Sequence, residues 1–150
     1  MTILNNAFIM QEITQAKIAH VRWVKRAEHL IAKLPVDKEF IPLEATSCGF
    51  GKWLYSSGTE LRNMDDYAPI MEKIESLHDQ LHAYYAEIYK LYFIIPENRS
   101  ILHKVFTFNS KKVSKHEEEL AKEIFEKLQV VSIELLEALN DLKIEIKRYK

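Results

Sequence analysis

From Ile9 onward, apolar residues recur at intervals of three and four: Ile9, Ile13, Ala16, then Trp23, Ala27, Leu30 and Leu34. That spacing places them on one stripe of an α-helix. The stripe needs one more position between Ala16 and Trp23, and His20 fills it, so the pattern turns an imidazole toward the core. Pro35 stops this helix, and PVDKEFIPLEATS, with a second proline at Pro42, reads as a connection.

Thr46 or Ser47 is the expected cap of a short helix running to about Ser57, with Gly58 as its left-handed exit. A longer helix is expected from Asp65 or Asp66, with Pro69 tolerated in its first turn. Its stripe is Ile70, Ile74, Leu77, Leu81, Ile88 and Leu91, and it ends before Pro96, where PENRS is a break. The aromatic run YYAEIYKLYF, Tyr84 to Phe93, has helical spacing and reads as core and rim. The last segment, about 114–150, repeats Leu120, Ile124, Leu128, Val131, Leu135, Leu139, Leu142 and Ile146. Its acidic start, KHEEEL, and basic end, KIEIKRYK, complement the helix dipole. Three long helices and one short one predict an all-α fold, a helical bundle of about four helices in a single domain over residues 1–150.

Composition narrows the function. The chain has 150 residues, 47% of them hydrophobic and 29% charged, which suits an ordinary soluble domain. A net charge of −1 argues against a nucleic-acid or anionic-membrane partner, which selects a cationic excess. No apolar run approaches the ~18 residues of a membrane span, and the N-terminus lacks the order of a signal peptide. A freestanding cytoplasmic protein is therefore expected, in a compartment where a lone thiol stays reduced.

One stretch breaks the pattern. SCGFGKWLYSSG, residues 47–58, contains the one cysteine and all three glycines of the chain. A turn would account for the glycines but not for the thiol. Of the six histidines, His78 and His82 in LHDQLH stand four apart on a predicted helix, one turn above the other. Such a pair arises easily by chance and alone means little. Three further features favour a metal. His20 lies at a core position, where a neutral imidazole needs a partner. Cys48 opens a short helix, where the dipole favours the thiolate that binds metal. Glycines at 49 and 51 allow close backbone packing and N–H donation to sulfur. His20, Cys48, His78 and His82 together would fill a tetrahedral zinc shell.

HVRW (His20 to Trp23), CGFGKWLYSSG (Cys48 to Gly58) and LHDQLH (Leu77 to His82) follow one another with 28 residues from His20 to Cys48 and 30 from Cys48 to His78. This pattern resembles the chemoreceptor zinc-binding domain of bacterial signalling proteins, over about residues 10–92. The resemblance implies a cytoplasmic helical bundle that holds Zn2+ through His20, Cys48, His78 and His82. It also implies that Trp23, Phe50, Trp53 and Tyr55 pack around that site. Relatives of this kind are attached to chemoreceptors or diguanylate cyclases, and zinc or oxidants modulate them. A homodimer is expected on the same ground.

No signalling hairpin, cyclase motif or membrane segment is evident here, so output is expected through a protein partner of the chemoreceptor or cyclic-di-GMP pathways, or through a dimer. Four protein ligands leave no open position for a water nucleophile, so a sensor without catalysis is expected rather than an enzyme. Two alternatives stand beside it. Zinc could serve only as a structural staple within an interaction module. A bridged iron pair of the hemerythrin kind would need inward carboxylates, for which Glu75-x-x-His78 is the one candidate motif. His29, His103 and His116 lack aligned partners and read as surface or boundary residues.

Overall fold

A computed structural model describes residues 5–34, 45–94, 109–110 and 112–148. The fold is all-α. Helix α1 spans Asn6–Ile31, α2 Gly49–Leu54, α3 Thr59–Arg62, α4 Ala68–Tyr92 and α5 Lys115–Arg148. A two-residue antiparallel pairing of Phe93–Ile94 (β1) with Asn109–Ser110 (β2), in register Phe93 with Ser110, follows α4. Pro35, Pro42, the PENRS break, His103 and most of the connection after α1 lie outside the described residues.

Each long helix buries most of the stripe its sequence carries, with Trp23 on α1 and Ile70 and Leu91 on α4 half-buried. On α1 the buried residues are Ile9, Ile13, Ala16, His20, Ala27 and Leu30. Asn5 caps this helix by accepting the Phe8 N–H through its side chain, at 3.2 Å. Leu34 falls outside the stripe, 51% exposed, because Lys33 takes a left-handed φ of 59° and ends the helix before it. On α5, Ile124, Leu128, Val131, Leu135, Leu139, Leu142 and Ile146 are buried, whereas Leu120, in the first turns, is 39% exposed. Ser114 and Glu117 form a reciprocal cap there: the Glu117 N–H donates to Ser114 Oγ and the Ser114 N–H to Glu117 Oε1.

Helix α5 is the spine of the bundle. It packs on both α4 and α1. Lys33 pairs with Glu118 at 3.0 Å and Lys17 donates to Asn140 at 2.6 Å, so α1 runs antiparallel to α5. Tyr92 lies near Glu118 while Tyr84 shares a groove with Glu126 and Val130, which sets α4 antiparallel to α5 as well. Helices α1 and α4 therefore run in the same direction, and their inner faces meet above the α5 stripe.

The connection between α2 and α4 departs from the expected form. Gly58 is not a left-handed exit. Its φ is −64°, and it leads into α3, a single turn too short for periodicity to reveal. A Cβ at Gly58 would stand 3.0 Å from the Trp53 carbonyl oxygen and 3.0 Å from Leu54 Cα, so close packing and not backbone handedness favours glycine there. Helix α4 begins at Ala68 rather than at Asp65 or Asp66, both of which are exposed. Its N-cap, Tyr67, is buried at 5% exposure and makes no capping side-chain bond, so burial of the ring fixes the entry. Pro69 occupies the first turn as expected.

Candidate metal centre

Helix α2 is held by an unusual cap. Cys48 itself, not Thr46 or Ser47, is the N-cap residue, with extended backbone and a side chain that accepts the Gly51 N–H at 3.2 Å. Gly51 makes that possible. A Cβ there would fall 1.7 Å from the Ala45 carbonyl oxygen, so only glycine lets the chain fold back this tightly. The sulfur also lies 3.4 Å from the Ala45 carbonyl, and it faces His78 Nε2 at 3.3 Å.

His78 and His82 come from adjacent turns of α4, with ring centroids 4.6 Å apart. His20 reaches in from α1, its ring 4.9 Å from that of His78. Its Nδ1 lies 2.5 Å from the Ala16 carbonyl oxygen. A carbonyl can only accept, so Nδ1 carries the proton and Nε2 presents its lone pair to the cluster. One donor atom from each of His20, Cys48, His78 and His82 lies within 4.8 Å of all the others, and all four residues are at most 2% exposed.

This donor set suits a cation. Burial lowers His20 from 6.5 to about 4, against the opposing pull of the Ala16 carbonyl. Burial, reinforced by the charges of His82 and His20, lowers His78 from 6.5 to about 2. Both rings are thus neutral at physiological pH, the form that ligates metal. His20 Nε2 and His78 Nδ1 are buried without a hydrogen-bond partner. An unsatisfied buried polar atom costs about 1–3 kcal/mol, which a bound cation at His20 Nε2 would offset. Tetrahedral zinc with bonds of about 2.0–2.3 Å separates its ligands by less than about 4 Å, so the cluster needs only a small contraction to close on one.

The thiol differs from expectation in one respect. Burial raises the Cys48 pKa, and outweighs the N–H groups of Gly51 and Phe50 and the charge of Lys52, which lower it. The helix start alone does not make a thiolate here; a bound cation would have to do so.

The aromatic surroundings divide into contact and second layer. Trp23 meets His20 at 4.7 Å and His82 at 5.0 Å between centroids, both edge to face. Phe50 meets His78 at 5.1 Å, and Trp53 stacks behind Phe50 at 5.5 Å. Tyr55 does not pack on the cluster. It is 39% exposed on the outer side, where its hydroxyl faces Asp79 and Arg62 lies over its ring. Glu75 also faces away, in an ion pair with Arg62. Among the described residues, the iron-pair alternative therefore finds no carboxylate in the cluster. His29 and His116 are exposed, and His103 lies outside the described residues.

A cleft of about 160 Å³ between α1 and the start of α2 reaches the cluster and has His20 and Cys48 in its wall. A larger groove of about 470 Å³ between α4 and α5, lined by Tyr84, Glu126 and Val130 among others, contains none of the four residues. No helix among the described residues is long and apolar enough to cross a membrane.

Neither a curated protein nor a solved structure matches this chain. A family model does, over residues 20–89, the span that begins at His20 and contains Cys48, His78 and His82. The match stops short of α5, which completes the bundle by burying its stripe against α1 and α4. That model is the chemoreceptor zinc-binding domain, and the span it matches agrees with the clustered residues.

Proposed function

We propose that His20, Cys48, His78 and His82 hold one zinc ion and that the domain is a regulatory sensor without catalysis of its own. One observation carries the reading: four buried donors from three separate helices converge within 4.8 Å, with no carboxylate among them. Zinc bound there would keep the Cys48 sulfur as thiolate. With four protein ligands the shell is closed, which favours binding and release over hydrolysis.

Cys48 joins the cluster to the start of α2. Helix α2 is six residues long and is anchored at its start through the same sulfur that would ligate the metal. Loss of the ion releases the sulfur from its tie through the metal to α1 and α4, and so does oxidation of the sulfur to sulfenic acid by hydrogen peroxide, itself reduced to water. Either event frees residues 47–58, and a protein partner reads the change. That partner is a bacterial signalling protein of the chemoreceptor or cyclic-di-GMP type, or a second copy of the chain in a homodimer.

Complete burial of the donors favours a second reading, in which zinc only staples the bundle. A staple resists chelators until the whole protein unfolds, whereas a sensor exchanges metal while α1, α4 and α5 stay packed. Hydrogen exchange separates them. On zinc removal or mild oxidation, the sensor reading predicts faster exchange confined to residues 47–58. Unchanged exchange in that segment would overturn it.

A further inference from the structure

Gly49 has no structural reason to be glycine. It lies in the first turn of α2, with φ on the ordinary negative side, so no backbone conformation demands it. A Cβ built on it meets no atom within 4 Å, in contrast to Gly51, where a Cβ would collide, and Gly58, where it would be tightly packed. Glycine in a helix costs about 0.5–1 kcal/mol against alanine, so the empty space beside it calls for another explanation.

That space is the cleft. Gly49 lines it together with two other small residues, Ala16 and Ala19 of α1, with Glu12 and Gln15, and with the rings of Trp23 and Phe50. His20 and Cys48 also border it. A volume of about 160 Å³ holds several waters, each of about 30 Å³ in the liquid. Larger side chains at 16, 19 or 49 would fill it. The half-buried Glu12 is the one carboxylate in its lining.

We infer that this cleft is the exchange port of the metal centre. Gly49 keeps it open, Glu12 draws the hydrated divalent cation to it, and His20 and Cys48 are the first donors the ion meets. The same opening admits small neutral solutes to the Cys48 sulfur. This rests on the metal-binding reading above for the ion, but not for access to the thiol.

The test uses Gly49→Leu, with Gly49→Ala as a smaller plug. Leucine suits a helical backbone and enters open space, and unchanged circular dichroism and melting confirm the fold. Two rates are measured on the full chain: zinc extraction by EDTA, and alkylation of Cys48 by iodoacetamide in the metal-free protein. The port predicts that Gly49→Leu slows both by about tenfold or more, Gly49→Ala less, with equilibrium zinc content unchanged. Glu12→Gln slows zinc loading at low ionic strength and leaves alkylation by the neutral reagent alone. Wild-type rates in Gly49→Leu would overturn the inference, because the donors would then be reached by opening of the bundle. If the wild type binds no zinc, the metal reading fails by itself, and the alkylation rates still decide whether the cleft leads to the thiol.

Discussion

Cys48 Sγ and His78 Nε2 lie 3.3 Å apart although 30 residues separate them in the chain. Two local features create this contact. Gly51 folds the chain back so that the sulfur caps its own helix, and the His78–His82 spacing stacks two rings on the inner face of α4. The sulfur is thus at once a helix cap and a donor in the cluster. Changes at the cluster are thereby coupled to the start of α2.

Metal should stabilise the fold strongly. Zinc that binds only the native state adds about 2.7 kcal/mol at a free concentration one hundred times Kd. For a chain of this size that corresponds to a rise in Tm of roughly 5–10 °C. Calorimetry with zinc and with EDTA checks it, and coincident melting curves would contradict it.

Acid should destabilise the metal-free protein. In the unfolded chain His20 and His78 take up protons as pH falls through 6.5, whereas in the fold they resist until about 4 and about 2. Their pKa values are depressed on folding, so the unfolded state binds more protons in that window. Stability is therefore full above about pH 6.5 and declines as pH falls, by about 1.4 kcal/mol per pH unit for each histidine. Urea denaturation in EDTA at pH 7 and pH 5 reads this directly, and equal midpoints would refute it.

The glycines should answer differently to alanine. Gly51→Ala drives a Cβ into the Ala45 carbonyl, at a cost of about 1–3 kcal/mol, and displaces Cys48 with loss of metal affinity. Gly49→Ala meets open space and is neutral or stabilising by about 0.5–1 kcal/mol. Denaturation midpoints and zinc titrations of both variants test the contrast. A tolerant Gly51 would mean that the cap is not what positions the sulfur.

Glu75→Gln should leave metal content unchanged. Its carboxylate pairs with Arg62 on the outer side of α4, with both side chains about a quarter to a third exposed. The cost to stability is about 1 kcal/mol or less. Loss of metal in this variant would reopen a role for the Glu75-x-x-His78 motif.

The long helices and the three clustered histidines were legible because they follow helical period, and Cys48 because it is the one thiol in the stretch that holds the glycines. Stripes at threes and fours predicted the buried faces of α1, α4 and α5, and the vacancy in the first stripe located His20. Features set by close approach were not legible. Nothing in GFGKWLYSSG says that Gly51 and Gly58 answer to neighbouring carbonyls while Gly49 answers to none. Tyr55 follows Trp53 by two positions, which in a helix is nearly the opposite side, so its turn toward Asp79 and Arg62 was available from geometry. The one-turn α3 is too short to show a period, and Cys48 as a cap escapes a rule framed for oxygen side chains.

The most direct test of the metal centre is zinc content by mass spectrometry on untagged protein purified without chelator, for the wild type and Cys48→Ser. The account predicts about one zinc per wild-type chain and reduced or chelator-labile zinc in the variant. A wild type without zinc, or a variant that holds it equally well, would contradict the four-donor site.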